Sequence, residues 1–196
     1  MRFSLTKLYK IAGIACLLGM LASCVPAALV VGATAGGAIV YDKRSVKTMT
    51  EDQDAKAQAE INITNTPELQ KDTHISVAVF NHIMLLVGQV STDEQRELVA
   101  QRVASVKHVS RVYNEITVQK PISFEKRSQD SWMTTKVKSA MLLKKGLGST
   151  QIKVVTEDSV VYLMGVVSPH QAELAADVTR RVNGVTKVVK VFENQQ

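Results

Sequence analysis

Two stretches of the chain repeat one apolar pattern and decide its fold. Residues 75–91 read ISVAVFNHIMLLVGQVS, and residues 152–168 read IKVVTEDSVVYLMGVVS. The offset is 77 throughout, which aligns Gly88 with Gly165 at equivalent strand ends, where a requirement of the backbone is the simplest explanation. Each stretch has two β-branched runs around a polar pair, which is typical of a β-hairpin. The chain therefore contains two copies of one module.

The residues after each hairpin predict a helix and a last strand. Ser91–Glu94 is typical of a capping box, and Ser168 is expected to be an N-cap followed by proline at the first helical position. Apolar residues then recur at helical spacing in both copies. With one residue deleted, the alignment continues into a strand at about 109–118 in the first copy and about 185–193 in the second.

A further helix is expected before each hairpin. In the first copy it covers about 51–62, with Thr50 and Gln53 at its cap, and in the second about 130–144, with Asp130 near its cap. The order αββαβ, twice, predicts an α+β fold in which helices cover one face of each small sheet. Small domains of this size bury only about 60% of their unfolded surface, so we expect modest stability, helped by docking of one domain on the other.

The N-terminus is typical of an export signal. Arg2, Lys7 and Lys10 precede an uncharged, mostly apolar run, Ile11–Leu21, whose 11 residues are too few to span a bilayer as a helix. The run ends in the sequence Leu-Ala-Ser-Cys at residues 21–24, which resembles a bacterial lipobox. The resemblance implies cleavage before Cys24 and acylation of that cysteine. The alternative is an uncleaved anchor with a chance cysteine.

Loss of residues 1–23 would change the composition. The mature chain would have 173 residues, and its net charge would fall from +6 to +3. Cys16 would leave with the signal and Cys24 would carry lipid, so no disulfide is expected. Because Val25 replaces the aspartate associated with inner-membrane retention, resemblance to lipoproteins favours the outer membrane, facing the periplasm. Residues 24–47 are expected to form a lipidated, mostly apolar tether, although a glycine-spaced helix pair in lipid is the alternative.

The two modules carry opposite net charge. Residues 48–118, the expected first domain, have a net charge of −4, and residues 130–196, the second, have +3. Between them, residues 119–129 contain Pro121, are mostly polar and are expected to form a linker. Modules that share a fold and differ in sign are expected to do different jobs.

The repeated residues resemble those of BON domains. The features are an apolar strand ending in Leu-Leu-Val-Gly (85–88) or Leu-Met-Gly (163–165), the capped helix after it, and the valine pattern of residues 184–189. Together with the lipobox, nearly the whole chain is similar to the dual BON-domain outer-membrane lipoproteins, which are associated with division, outer-membrane stress and lipid binding. The resemblance implies anionic phospholipid binding, maintenance of the outer membrane and no catalysis.

A candidate phospholipid-binding set lies in the leading helix of the second module. Trp132, the only tryptophan, is at one edge of the helix's apolar face, and tryptophan favours membrane interfaces. The full set is Trp132, Lys136, Lys138, Leu143, Lys144 and Lys145. Each lysine near an anionic surface contributes about 1 kcal/mol. The alternative is a core tryptophan beside solvated lysines.

Other function classes are poorly supported. The four histidines have no metal-ligand spacing and no cysteine partners, and the pairs Asp93/Glu94 and Glu157/Asp158 are better explained as helix-start and turn residues than as catalytic carboxylates. No metal, cofactor or catalytic residue is therefore expected. Nucleic acid is not an expected partner, because the mature charge is small and the chain is exported. The second candidate function is a periplasmic scaffold, whose acidic first domain would hold an envelope or cell-wall enzyme.

Overall fold

The computed structural model describes residues 44–194, all within one compact unit. The expected signal peptide (1–23), Cys24 and most of the expected tether lie outside the described residues.

The αββαβ order, repeated twice, is confirmed. The first domain consists of α1 (Val46–Thr64), β1 (His74–Phe80), β2 (Ile83–Val90), α2 (Asp93–Val103) and β3 (Arg111–Val118). The second consists of α3 (Phe124–Leu143), β4 (Ile152–Glu157), β5 (Val160–Val167), α4 (Pro169–Arg180) and β6 (Lys187–Asn194). Short 3₁₀ turns precede β1 and β4, at Pro67–Leu69 and Ser149–Gln151.

Each domain has a three-stranded sheet with the hairpin's second strand in the middle. β1 and β2 are antiparallel and β2 and β3 are parallel, and β4, β5 and β6 repeat that arrangement. The two helices of each domain pack on one face of its sheet and enclose a separate apolar core. The backbone requirement at the aligned glycines is confirmed: Gly88 has φ +126°, and a Cβ on Gly165 would lie 2.6 Å from the Gln151 carbonyl oxygen.

Thr92 rather than Ser91 is the N-cap of α2, because the Thr92 hydroxyl accepts from the Gln95 N–H and the Gln95 side chain accepts from the Ser91 N–H. Both leading helices begin earlier than the sequence pattern predicted. The Ser45 and Ser123 hydroxyls accept hydrogen bonds from the third residue of α1 and of α3, so serine rather than Thr50 or Asp130 is the N-cap in each domain. Residues 124–129, expected to be linker, are therefore the first turns of α3. Asp130 is a buried residue within that helix.

The helix-free faces of the two sheets pack against each other. Phe80, Leu85 and Val87 of the first sheet form one buried cluster with Tyr162 and Met164 of the second. Alternate residues of β2 and β5 face this cluster and the domain's own core, so these strands are buried on both faces. Docking of the two domains, expected to add to their modest stability, is thus part of the fold.

Polar groups are paired across the same contact. The Gln89 amide donates to the Glu157 carboxylate over 2.8 Å, and the Lys153 ammonium donates to the Val79 carbonyl over 3.1 Å. Burial raises the pKa of Glu157 and lowers the pKa of Lys153, and burial also raises the pKa of Tyr162 to about 12. The sequence pattern explained the pair Glu157/Asp158 as turn residues. Glu157 is instead the last residue of β4 and lies at the contact between the domains.

Candidate functional site

Helix α3 presents apolar side chains on two opposite faces. Its inner face, with Met133, Val137 and Met141, is buried in the second domain's core. On the opposite side, four large apolar side chains are mostly exposed: Phe124 by 76%, Trp132 by 65%, Leu142 by 70% and Leu143 by 83%. We call these four residues the α3 ridge. Trp132 is therefore not a core residue, which excludes the alternative interpretation of the sequence.

The ridge runs along the length of the helix. Phe124 and Leu142 are 18 residues apart, which at 3.6 residues per turn places them five turns apart on the same line. Three of the hydroxyls between them are paired within the helix: Ser128, Ser131 and Thr135 each donate to the carbonyl four residues earlier, over 3.0 to 3.3 Å. This pairing lowers the cost of moving the ridge out of water.

Cations flank the ridge. Lys138, Lys144 and Lys145 are exposed, whereas Lys136 is half-buried and donates to the Asn183 carbonyl over 3.0 Å. Lys136 thus links α3 to the loop before β6. The guanidinium carbon of Arg127 lies 6.0 Å from the centre of the Phe124 ring, at the start of the ridge.

Two clefts open beside the C-terminal half of α3. One, of about 280 Å³, has Lys138 and Leu142 at its edge and Met141, Ile152 and Val154 at its base. The other, of about 340 Å³, lies between α3 and α4. Both combine an apolar lining with a lysine, so the helix offers charge and apolar surface together.

The candidate lipid-binding residues lie from the middle of α3 to just beyond its C-terminus, and the structure adds residues that the sequence pattern missed. Phe124 was missed because the residues after Pro121 were assigned to the linker, although Ser123 is the type of residue that caps a helix. Leu142 was missed because only Leu143 was placed at the edge of the apolar face. Arg181, which lines the cleft between α3 and α4, is 37 residues from Lys144 in sequence and gave no local signal.

A buried carboxylate holds the hairpin turn in each domain. Asp52 accepts from the backbone N–H groups of Asn81 and His82, both over 2.8 Å. In the second domain Asp130 accepts from Asp158 and Ser159, over 2.8 and 3.0 Å. All four turn residues have positive φ, as a tight two-residue hairpin requires. These aspartates are therefore structural.

Comparison with known proteins identifies the family. The sequence model of the BON domain matches residues 50–120 and 129–195. The chain belongs to the BON-domain family. A relative of this BON-domain protein, outer membrane lipoprotein DolP of Haemophilus influenzae, is 33% identical over 167 residues, which cover 85% of this chain and 86% of that protein. The chain is a dual BON-domain outer-membrane lipoprotein, facing the periplasm.

Two further similarities were found. The 21 kDa hemolysin of Actinobacillus pleuropneumoniae is 36% identical over 155 residues, covering 79% of this BON-domain chain and 80% of the hemolysin. The solved C-terminal domain of CdsD, the structural protein of the type III secretion system of Chlamydia trachomatis, is 10% identical and has a TM-score of 0.30. The match covers 71% of this chain and 96% of the CdsD domain. That structural likeness is too weak to bear on fold or function.

Within residues 44–194, no helix has the length and apolar character needed to cross a membrane.

Proposed function

We propose that the second BON domain docks on anionic phospholipid bilayers through the α3 ridge and the lysines beside it. The observation that carries the proposal is the exposure of Phe124, Trp132, Leu142 and Leu143 on one helix. Large exposed apolar patches mark interaction surfaces, and an aromatic and leucine face flanked by lysines is typical of helices that lie in a membrane interface.

The duplication supplies an internal comparison. The repeat aligns α3 with α1 at an offset of 78, shown by the equivalent caps Ser45 and Ser123 and the equivalent Asp52 and Asp130. At the α1 positions that match Trp132, Leu142 and Leu143, the first domain has Asp54, Thr64 and Asn65, and it has Gln58 and Glu60 in place of Lys136 and Lys138. The fold therefore does not require the ridge. At the four ridge positions, all within residues 44–194, α1 keeps an exposed apolar residue only at Val46, the match of Phe124, and lacks the other ridge residues, which supports a lipid-binding role for the second domain.

The tether strengthens weak docking. A chain that is anchored by acylated Cys24 meets the bilayer as an intramolecular partner, so a modest affinity of the domain is sufficient. Full burial of one large apolar side chain contributes about 1.5–3 kcal/mol, and each cation near the surface about 1 kcal/mol. A few ridge residues and lysines are thus enough to favour the docked state.

A test uses the sole tryptophan as the probe. The mature lipoprotein is reconstituted in phosphatidylcholine vesicles with increasing phosphatidylglycerol, and the Trp132 emission maximum is followed. We expect a blue shift that grows with phosphatidylglycerol, because the indole leaves water. Replacing Leu142 and Leu143 by serine should abolish most of the shift, whereas the matched change of exposed Val46 and Ile61 to serine should not. An emission maximum that does not change with the phosphatidylglycerol fraction would contradict the proposal.

We also propose that this docking supports outer-membrane integrity, including at the division site. A deletion strain would be complemented with each variant and tested for detergent sensitivity. The Val46/Ile61 variant should restore resistance, and the Leu142/Leu143 variant should not. The scaffold function is supported instead if an envelope enzyme binds the first domain without lipid and the ridge variant complements fully.

A further inference from the structure

The cleft between α3 and α4 of the second domain combines an apolar floor with two cations. Ala140, Leu174, Val178 and Val182 form the floor, and Lys144 and Arg181 stand at the edge, in a cleft of about 340 Å³. Lys144 directly follows Leu143 of the ridge. A group held between these cations would thus lie beside the part of α3 proposed to enter the bilayer.

Both cations are available to an anion. Lys144 and Arg181 are exposed, and across residues 44–194 neither side chain makes an ion pair or a hydrogen bond. The cleft also contains a carboxylate, Asp177, which would oppose an anion. Its charge is offset by Arg180, whose guanidinium donates to the Asp177 carboxylate over 2.5 Å. The cleft thus has a local excess of positive charge.

The first domain has the corresponding cleft with a different lining. It lies between α1 and α2, has a volume of about 370 Å³ and is lined by Asn62, Asn65, Thr66, Pro67, Gln101, Arg102 and Ser105. In the repeat alignment Thr66 matches Lys144, and Ser105 matches Arg181. Neutral residues therefore occupy both cation positions in the first domain. The Asn62 side-chain amide donates a hydrogen bond to the Arg102 backbone carbonyl over 3.0 Å. The cation pair is a property of the second domain and not of the fold.

We propose that this cleft binds the head group of an anionic phospholipid, with Lys144 and Arg181 contacting the phosphate and the apolar floor contacting the glycerol and the first acyl carbons. The inference rests on the proposed docking of α3 and adds to it a defined lipid site. A lipid head group fits better than free phosphate, because charge and apolar surface adjoin each other and continue into the ridge. Arginine suits the phosphate through its planar, multiple donors, and lysine as a point charge.

The test replaces each cation by its counterpart in the first domain. The Lys144→Thr/Arg181→Ser variant of the mature lipoprotein is reconstituted as above, and the phosphatidylglycerol fraction that gives half of the Trp132 blue shift is measured. We expect that fraction to rise by about 30-fold, or the shift to be lost, at about 1 kcal/mol per cation. The control, Lys107→Thr/Lys187→Ser, removes two exposed lysines and the same net charge, and should change the fraction by less than threefold.

The outcomes separate this inference from the proposal on which it rests. If the wild-type protein shows no blue shift, docking itself fails. If the wild type docks and the cleft variant behaves like the Lys107/Lys187 control, docking stands and the cleft site is wrong. Inorganic phosphate at constant ionic strength should not reverse the blue shift, and reversal would assign the cleft to free phosphate. Unchanged thermal unfolding of both variants is expected, since all four side chains are exposed.

Discussion

Asp130 shows how one residue joins a helix to a distant turn. Its two carboxylate oxygens accept from the N–H groups of Asp158 and Ser159, and the Lys126 ammonium lies 3.1 Å from the same carboxylate. The sequence pattern placed Asp130 near a helix cap, because a short stretch of sequence shows where a helix could begin. It does not show a hydrogen-bond partner 28 residues away. The one available signal was its repetition at the equivalent Asp52.

Replacing Asp130 by alanine should therefore destabilise the protein. The change leaves two backbone donors of a strained turn without acceptors, so we expect a loss of about 3 kcal/mol in the free energy of unfolding. Urea denaturation measures it. The control is Asp54→Ala, an exposed aspartate on α1, which should change stability by less than about 0.5 kcal/mol. Equal effects of the two substitutions would contradict the structural role of Asp130.

Helix α3 is the element whose buried half could be predicted and whose exposed half could not. Apolar spacing correctly placed Met133, Val137 and Met141 on one face. The same periodicity put Trp132 at the edge of that face, where burial and exposure are equally compatible with the pattern. The exposed face of α3 depends on the length of the helix. Because α3 begins at Phe124, its first turns place a second aromatic residue in line with Leu142.

Phe124 should therefore contribute to docking. Its ring is 76% exposed, so Phe124→Ser costs little stability but removes apolar surface from the ridge. We expect the half-saturating phosphatidylglycerol fraction to rise by about tenfold, corresponding to roughly 1.4 kcal/mol, or the blue shift to be lost if that fraction would exceed pure phosphatidylglycerol. The matched control is Val46→Ser, which changes the equivalent residue of α1, also 76% exposed. An equal response of the two variants would remove Phe124 from the membrane-binding face.

At the scale of the whole molecule, two duplicated domains share one interface. The run Ile83–Val87 of β2 is continuously apolar, as a strand buried on both faces requires, but the sequence pattern alone predicts it only as one strand of a hairpin. The repeat predicted two sheets, and their small size indicated a need for docking. Which faces would meet could not be predicted, because the pairing depends on contacts between residues as distant as Leu85 and Tyr162.

Glu157 makes the stability of this interface depend on pH. Burial raises its pKa above the ordinary value of 4.5, so the folded state binds the proton more tightly than the unfolded state. Below pH 4.5 the carboxyl is protonated in both states and its burial costs no folding stability through ionisation. As pH rises from 4.5 through the raised pKa, the free energy of unfolding falls, because the unfolded state loses the proton first. Glu157→Gln keeps an acceptor for the Gln89 amide without the charge, and should be more stable than wild type at pH 7.5.

Urea unfolding at two pH values checks this expectation. The advantage of Glu157→Gln should disappear at pH 4, where the wild-type carboxyl is neutral, and exposed Glu68→Gln should show no advantage at either pH. A variant less stable than wild type at pH 7.5 would contradict the cost that we assign to burying the Glu157 carboxylate.

The central claim is that the second domain's α3 enters the bilayer, and Trp132 reports on it directly as the only tryptophan of the chain. The measurement is quenching of its fluorescence in the mature lipoprotein by phosphatidylcholine with brominated acyl chains, with and without phosphatidylglycerol. We expect strong quenching only when phosphatidylglycerol is present. Emission that stays unquenched at every phosphatidylglycerol fraction would contradict the claim.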